Sequence, residues 1–154
     1  MAFSIVSIIH IVAFVFAFIE LGLTAYLVSV FDGPWTSSPS EVNFMLFNSI
    51  WSLLVLLYIG ITPLYYTHLF HRLASLALEA VTTIFWFAGS IALAADFGGP
   101  YHCGSSTPCG CTTAAITFGF FLWALFTVLT VLDTIESLRS RRHTTAQPKP
   151  YVGA

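Results

Sequence analysis

Residues 5–31 read IVSIIHIVAFVFAFIELGLTAYLVSVF, a stretch that contains one acid, Glu20, and one histidine, His10. A helix needs about 20 mostly apolar residues to cross the hydrocarbon core of a bilayer, since each residue adds about 1.5 Å. This stretch therefore predicts a membrane-spanning helix. Three more stretches meet the same criterion: residues 42–67, 73–95 and 113–135. The fold class predicted is an all-α bundle of four transmembrane helices.

The composition excludes an ordinary soluble domain. Of the 154 residues, 57% are hydrophobic and 8% are charged, whereas a soluble domain carries about 25% charged residues. A chain this short has a large surface for its volume and could not hide so much apolar surface from water. The net charge of −2, without a basic stripe among the aromatic residues, also argues against nucleic acid as a partner.

The positions of lysine and arginine predict the orientation in the membrane. Arg72 lies between the second and third predicted spans, and the other four basic residues, Arg139, Arg141, Arg142 and Lys149, follow the fourth. The first and third connections contain none. Because cytosolic loops are enriched in Lys and Arg, we expect both termini and the middle connection to be cytosolic.

The expected organisation is one membrane domain, residues 1–138, followed by a basic cytosolic tail, residues 139–154. The tail has no apolar period and contains Pro, Gln, Thr and Gly, so it is predicted to be disordered. Arg139, Arg141 and Arg142 are expected to contact anionic lipids, at about 1 kcal/mol per charge. The competing interpretation is that the three arginines only fix the orientation.

All three cysteines, Cys103, Cys109 and Cys111, fall in the third connection. This connection is expected to face the oxidising side of the membrane, so a disulfide is predicted between Cys103 and either Cys109 or Cys111. The alternative is a membrane thiol oxidase, but such redox sites use C-x-x-C spacing, which is not present here. We therefore expect the cysteines to be structural.

Ionisable side chains within the predicted spans are expected to face the bundle interior, because a charge at the bilayer centre costs about 2.5–3.5 kcal/mol. Counted along the helices, His10, Glu79 and Asp133 share a layer near the cytosolic end. Glu20 stands about 15 Å higher, and Asn48 on the second helix reaches a similar height. These five side chains form a predicted intramembrane polar network.

The network has two interpretations. In the first, the acids are neutral or bound to His10 and hold the helices together. In the second, His10, Glu79 and Asp133 form a path for protons or a solute, although transporters usually have more spans or helices broken at the midplane. The sequence contains no recognisable nucleophile–base pair and no metal-ligand pattern, so no catalytic residue, metal or cofactor is predicted.

Polar and small residues recur at helical spacing along one face of each span. On the first span the stripe steps by three and four residues, as expected for a packing face between membrane helices. The stripes are His10, Ala13, Ala17, Glu20 and Thr24; Asn48, Ser52, Val55, Ile59, Thr62 and Tyr66; Glu79, Thr83, Trp86 and Ser90; and Gly119, Trp123, Phe126, Thr130 and Asp133.

Three segments resemble a known family. Residues 78–94 read LEAVTTIFWFAGSIALA, residues 20–27 read ELGLTAYL, and residues 114–123, which follow the cysteines, read AAITFGFFLW. Together with the four spans, these segments resemble the MARVEL-domain proteins, particularly their small fungal members. The resemblance covers about residues 5–138.

The resemblance implies a non-enzymatic protein of the plasma membrane or the secretory-pathway membranes. Its expected roles are membrane apposition, vesicle or secretory traffic and the organisation of lipid microdomains through homo- or hetero-oligomers. The partners implied are membrane lipids, sterol or anionic lipid among them, and other membrane proteins. The competing hypotheses are a small proton or solute transporter and an accessory subunit of a larger membrane complex.

Overall fold

The computed structural model describes residues 2–65, 72–97 and 106–145, and their side chains over residues 5–61, 73–97 and 106–139. Four helices account for nearly all of this part of the chain: α1 (Ala2–Phe31), α2 (Ser40–Tyr65), α3 (Arg72–Phe97) and α4 (Thr107–Thr145). Each is long and apolar enough to cross a membrane. The predicted all-α fold with four transmembrane helices is therefore confirmed.

The helices form a closed ring. Helix α1 packs against α2 and α4, and α3 packs against the same two helices. Helices α1 and α3 run in the same direction, since His10 faces Glu79 and Phe31 faces Phe97. The contacts of α3 with α2 and with α4 pair rising with falling residue numbers, so α2 and α4 run in the opposite direction. We call the end with residues 2 and 145 the termini end and the end with residues 32–39 the first-loop end.

The bundle is apolar outside and partly polar inside. Large hydrophobic side chains on its outer surface, such as Phe18 and Ile84, are more than 60% exposed. The fully buried side chains include Glu20 and Glu79, together with several serines and threonines. Lipid is the solvent that accepts such an outer surface, and it leaves the polar side chains to meet each other inside.

Helix α4 begins earlier than predicted. It starts at Thr107 instead of residue 113, although Pro108 and Gly110 resemble loop residues. Proline is tolerated in the first turn of a helix, where no backbone N–H is needed. The Gly110 N–H already donates to the Ser106 carbonyl oxygen at 3.3 Å.

The same helix also ends later than predicted. It continues to Thr145, so the prediction that residues 139–145 are disordered is corrected. The physical reason is the absence of proline and glycine between Gly119 and Pro148, which leaves nothing to end the helix earlier. Residues 146–154 of the predicted tail lie outside the described part, as do residues 66–71 and 98–105. The cytosolic orientation of the termini stays a prediction.

Candidate functional site in the bundle interior

A histidine and a carboxyl group face each other across the bundle near the termini end. His10 Nδ1 lies 2.9 Å from the Val6 carbonyl oxygen, which can only accept, so Nδ1 carries a proton. Nε2 of the same ring lies 3.8 Å from Glu79 Oε1. Glu79 is fully buried, whereas the His10 side chain is 19% exposed. This separation is too long for a hydrogen bond, so the pair would join α1 to α3 as an ion pair when the imidazole is protonated.

A second carboxyl group joins this pair from α4. Asp133 is partly buried, and its charge acts on the Glu79 carboxyl. One turn further along the helices, the hydroxyls of Thr83 and Thr130 lie 3.3 Å apart, which ties α3 to α4. We call His10, Glu79 and Asp133 the termini-end cluster. It brings together side chains from three helices.

Two tryptophans join α2 to α3 in the middle of the bundle. Trp86 Nε1 donates a 2.8 Å hydrogen bond to Ser52 Oγ, and both side chains are buried. Trp51 Nε1 donates to Thr82 Oγ1 at 3.1 Å. An indole N–H buried in a membrane protein needs such a partner, because no water is available to replace it. These bonds fix the relative height of α2 and α3.

The other two side chains of the predicted polar network lie apart from the termini-end cluster. Glu20 is fully buried and Asn48 is 1% exposed. Within the described residues, the side-chain oxygens of Glu20 and the amide atoms of Asn48 have no hydrogen-bond partner. The same holds for Ser90 Oγ and, in the termini-end cluster, for His10 Nε2 and both carboxyl oxygens of Glu79. Glu20 follows His10 by ten residues, about 15 Å along α1, so the five predicted side chains occupy two separate layers of the interior.

Some buried polar residues were not predicted from the sequence. Thr82, Ser49 and Ser75 are fully buried, although none belongs to a predicted stripe. The signal for Thr82 was available, since Thr82 and Thr83 are adjacent and a helix enclosed by two neighbours can bury both. Thr82 faces Trp51 on α2, and Thr83 faces α4.

The predicted sites outside the interior are only partly described. Of the two described cysteines, Cys111 carries a free thiol and Cys109 does not. Cys103 lies outside the described residues, so its disulfide stays a prediction, and Cys109 is the partner that agrees with a free Cys111. Arg139 is exposed, whereas the side chains of Arg141 and Arg142 are not described. Among the described side chains, no group of three or more His, Cys, Asp or Glu residues is arranged to hold a metal ion.

Four apolar helices around a partly polar interior define a multi-pass integral membrane protein. The family model of MARVEL, the membrane-associating domain, matches residues 2–132, and the chain belongs to this family. The resemblance found in the sequence is therefore confirmed. Neither the curated proteins nor the solved structures compared with the chain give a match.

Proposed function

We propose that this protein is a non-enzymatic organiser of membranes, which acts by lateral association with lipids and with other membrane proteins in membrane apposition or vesicle traffic. One observation carries the proposal. Between the first and last described residues, the described segments outside the four helices are residues 32–39 and Ser106. The described chain therefore meets its surroundings mainly through an apolar, lipid-facing surface. Membership of a membrane-associating family supports the same role.

The interior contacts support a structural use of the polar side chains. The Trp86–Ser52 and Trp51–Thr82 bonds each join two helices, and the His10–Glu79 pair joins two helices on opposite sides of the ring. Contacts of this kind hold a bundle together. They agree with a protein whose outer surface, and not its interior, makes the functional contacts.

The basic residues at the end of α4 support contact with anionic lipids. Helix α4 continues past Arg139, which is exposed, to Thr145, so Arg141 and Arg142 continue on the same helix. Replacing Arg139, Arg141 and Arg142 with glutamine should weaken binding to phosphatidylserine vesicles, at about 1 kcal/mol per charge.

The experiment that tests the organiser function is reconstitution of the full chain in giant vesicles that contain coexisting ordered and disordered lipid phases. Fluorescent lipids and labelled protein report the local lipid composition and self-association. We expect the protein to cluster and to enrich particular lipids around itself. A lipid composition around the protein equal to that around an inert single-span peptide would contradict the proposal.

The transporter alternative is tested on the same preparation. Proton flux is measured in liposomes that contain the parent protein or the Glu79→Gln variant, which keeps the shape of the side chain. We expect no flux above that of protein-free liposomes in either case. A flux that is present in the parent and lost in Glu79→Gln would overturn the organiser function.

A further inference from the structure

Three polar side chains in the middle of the bundle are buried without a hydrogen-bond partner among the described residues. Glu20 of α1 and Ser90 of α3 are fully buried, and Asn48 of α2 is 1% exposed. Both carboxyl oxygens of Glu20, both amide atoms of Asn48 and Ser90 Oγ are unpartnered in this way. Each such group costs about 1–3 kcal/mol. Three of them, from three helices, indicate a ligand-binding layer.

Contacts between α2 and α3 place two of these side chains together. Trp86 donates to Ser52 across the two helices. Asn48 precedes Ser52 by four residues, one helical turn on the same face. Ser90 follows Trp86 by four residues, also one turn on the same face. Helices α2 and α3 run in opposite directions, so the turn back from Ser52 to Asn48 and the turn onward from Trp86 to Ser90 both lead toward the first-loop end. Asn48 and Ser90 therefore lie in the same part of the interior.

Helix α1 brings Glu20 to the same height. Helices α1 and α3 run in the same direction, and the 3.8 Å separation of His10 Nε2 and Glu79 Oε1 sets their relative height. Glu20 follows His10 by ten residues, about 15 Å along the axis. Ten residues after Glu79 on α3 comes residue 89, which is next to Ser90. We call Glu20, Asn48 and Ser90 the middle layer.

The fourth helix closes the middle layer with an apolar wall. A Cβ added at Gly119 of α4 would lie 2.5 Å from Ser90 Oγ and 3.0 Å from Met45 Cε. The glycine therefore provides the space in which the serine hydroxyl stands. Leu122, one turn further along α4, is fully buried. A ligand in this layer must be small and must leave its hydration shell behind.

The charge of the layer decides which ligand fits. Glu20 brings one formal negative charge, and Asn48 and Ser90 bring none. Of the described basic side chains, the nearest is His10, about 15 Å away along the axis. Carboxyl, amide and hydroxyl oxygens are the ligands that hard cations prefer. One monovalent cation would make the layer neutral, whereas a divalent cation would leave an uncompensated positive charge inside the membrane.

We propose that Glu20, Asn48 and Ser90 form a binding site for one dehydrated monovalent cation of the size of Na⁺. The bound cation joins α1, α2 and α3 through oxygen ligands from each helix. Since it binds the folded bundle and not the unfolded chain, it stabilises the fold by mass action. The site does not depend on the organiser function, and either proposal can fail without the other.

The test uses the purified full chain in detergent at constant pH and ionic strength. The thermal midpoint Tm is followed by tryptophan fluorescence while NaCl replaces choline chloride, and radioactive Na⁺ measures binding directly. We expect a saturable rise in Tm of about 3 °C and one bound Na⁺ per chain. Equal Tm values in the two salts, with no Na⁺ bound, would overturn the proposal.

Variants separate this site from a general effect of salt. Glu20→Gln should abolish both Na⁺ binding and the rise in Tm, whereas the matched change Glu79→Gln should keep both. Asn48→Asp adds a second negative charge and should produce a Ca²⁺-dependent rise in Tm, which gives an independent result if Glu20→Gln does not fold. A Na⁺ response retained in Glu20→Gln, or no Ca²⁺ response in Asn48→Asp, would contradict the site.

Discussion

The two fully buried glutamates, Glu79 and Glu20, have different surroundings. Glu79 has two ionisable neighbours: His10 Nε2 lies 3.8 Å from its carboxyl, and the charge of Asp133 on α4 acts on it. Glu20 lies at the height of the neutral side chains Asn48 and Ser90, and neither glutamate carboxyl makes a hydrogen bond within the described chain. Equal burial therefore does not mean equal dependence on the rest of the protein. A described basic side chain, His10, stands beside Glu79, whereas the nearest described basic side chain to Glu20 is the same His10, about 15 Å away along the axis.

The largest expected effect contrasts the two acids directly. Glu79→Leu removes the partner of His10 and leaves that imidazole and Asp133 facing an apolar side chain. We expect the free energy of unfolding to fall by about 3 kcal/mol, since breaking a buried pair strands the remaining group. Glu20→Leu in sodium-free buffer strands no charged partner and should change it by less than about 1 kcal/mol. Thermal unfolding in detergent measures both.

A third variant shows whether the stability lost in Glu79→Leu comes from charge or from shape. Glu79→Gln keeps the size and most of the hydrogen-bonding capacity of the side chain, so folding and oligomeric state should be preserved. Equal losses of stability in Glu79→Leu and Glu20→Leu would mean that the neighbouring ionisable side chains do not affect stability. The proposed difference between the two glutamates would then be wrong.

An intermediate effect is expected from crowding the middle layer. Gly119→Ala would place a methyl group 2.5 Å from Ser90 Oγ, and overpacking of this kind costs about 1–3 kcal/mol. The matched control is Gly22→Ala on the outer face of α1, where an added Cβ meets nothing within 4 Å. Unfolding midpoints of the two variants in the same detergent make the comparison.

Combining the glycine change with Ser90→Ala identifies the atom responsible. Removing Oγ removes the closest contact of the new methyl group, so the double variant should recover part of the lost stability. A Gly119→Ala variant as stable as Gly22→Ala would show that α4 does not approach α3 as closely as the structure places it.

The smallest effect concerns the hydrogen bond below the middle layer. Trp86→Phe removes the donor to Ser52 Oγ and should lower the free energy of unfolding by about 1 kcal/mol, as for a typical buried hydrogen bond. Trp35→Phe is the control, because Trp35 is 96% exposed in the first connection. If both changes cost the same in thermal unfolding, the bond between α2 and α3 contributes nothing measurable.

Helix number and buried faces were largely predictable from the sequence. In the stripe predicted for α1, Ala13, Ala17, Glu20 and Thr24 are fully buried, and His10 is partly buried. Prediction succeeds here because lipid leaves few alternatives for a polar side chain in a long apolar helix. The same constraint explains why Asn48 and Ser52 are buried on α2.

Breadth of the buried face was harder to predict. A stripe at three- and four-residue spacing assumes one neighbour, whereas each helix in the ring has two. Helix α3 therefore uses both Thr82, toward α2, and Thr83, toward α4. On α4 Phe126 of the predicted stripe is fully buried, but so is Leu122 outside it, whereas Trp123, assigned to the stripe, is only partly buried. The sequence contains the period of a helix but not the number of its neighbours.

Helix α4 also has a mechanical consequence. Its 39 residues extend about 58 Å at 1.5 Å per residue, nearly twice the roughly 30 Å of hydrocarbon that it crosses. One unbroken rod thus connects the region of Cys109 at one membrane surface with the arginines at the other. Because the helix is continuous, a tilt of α4 that moves one end must displace the other end in the opposite direction.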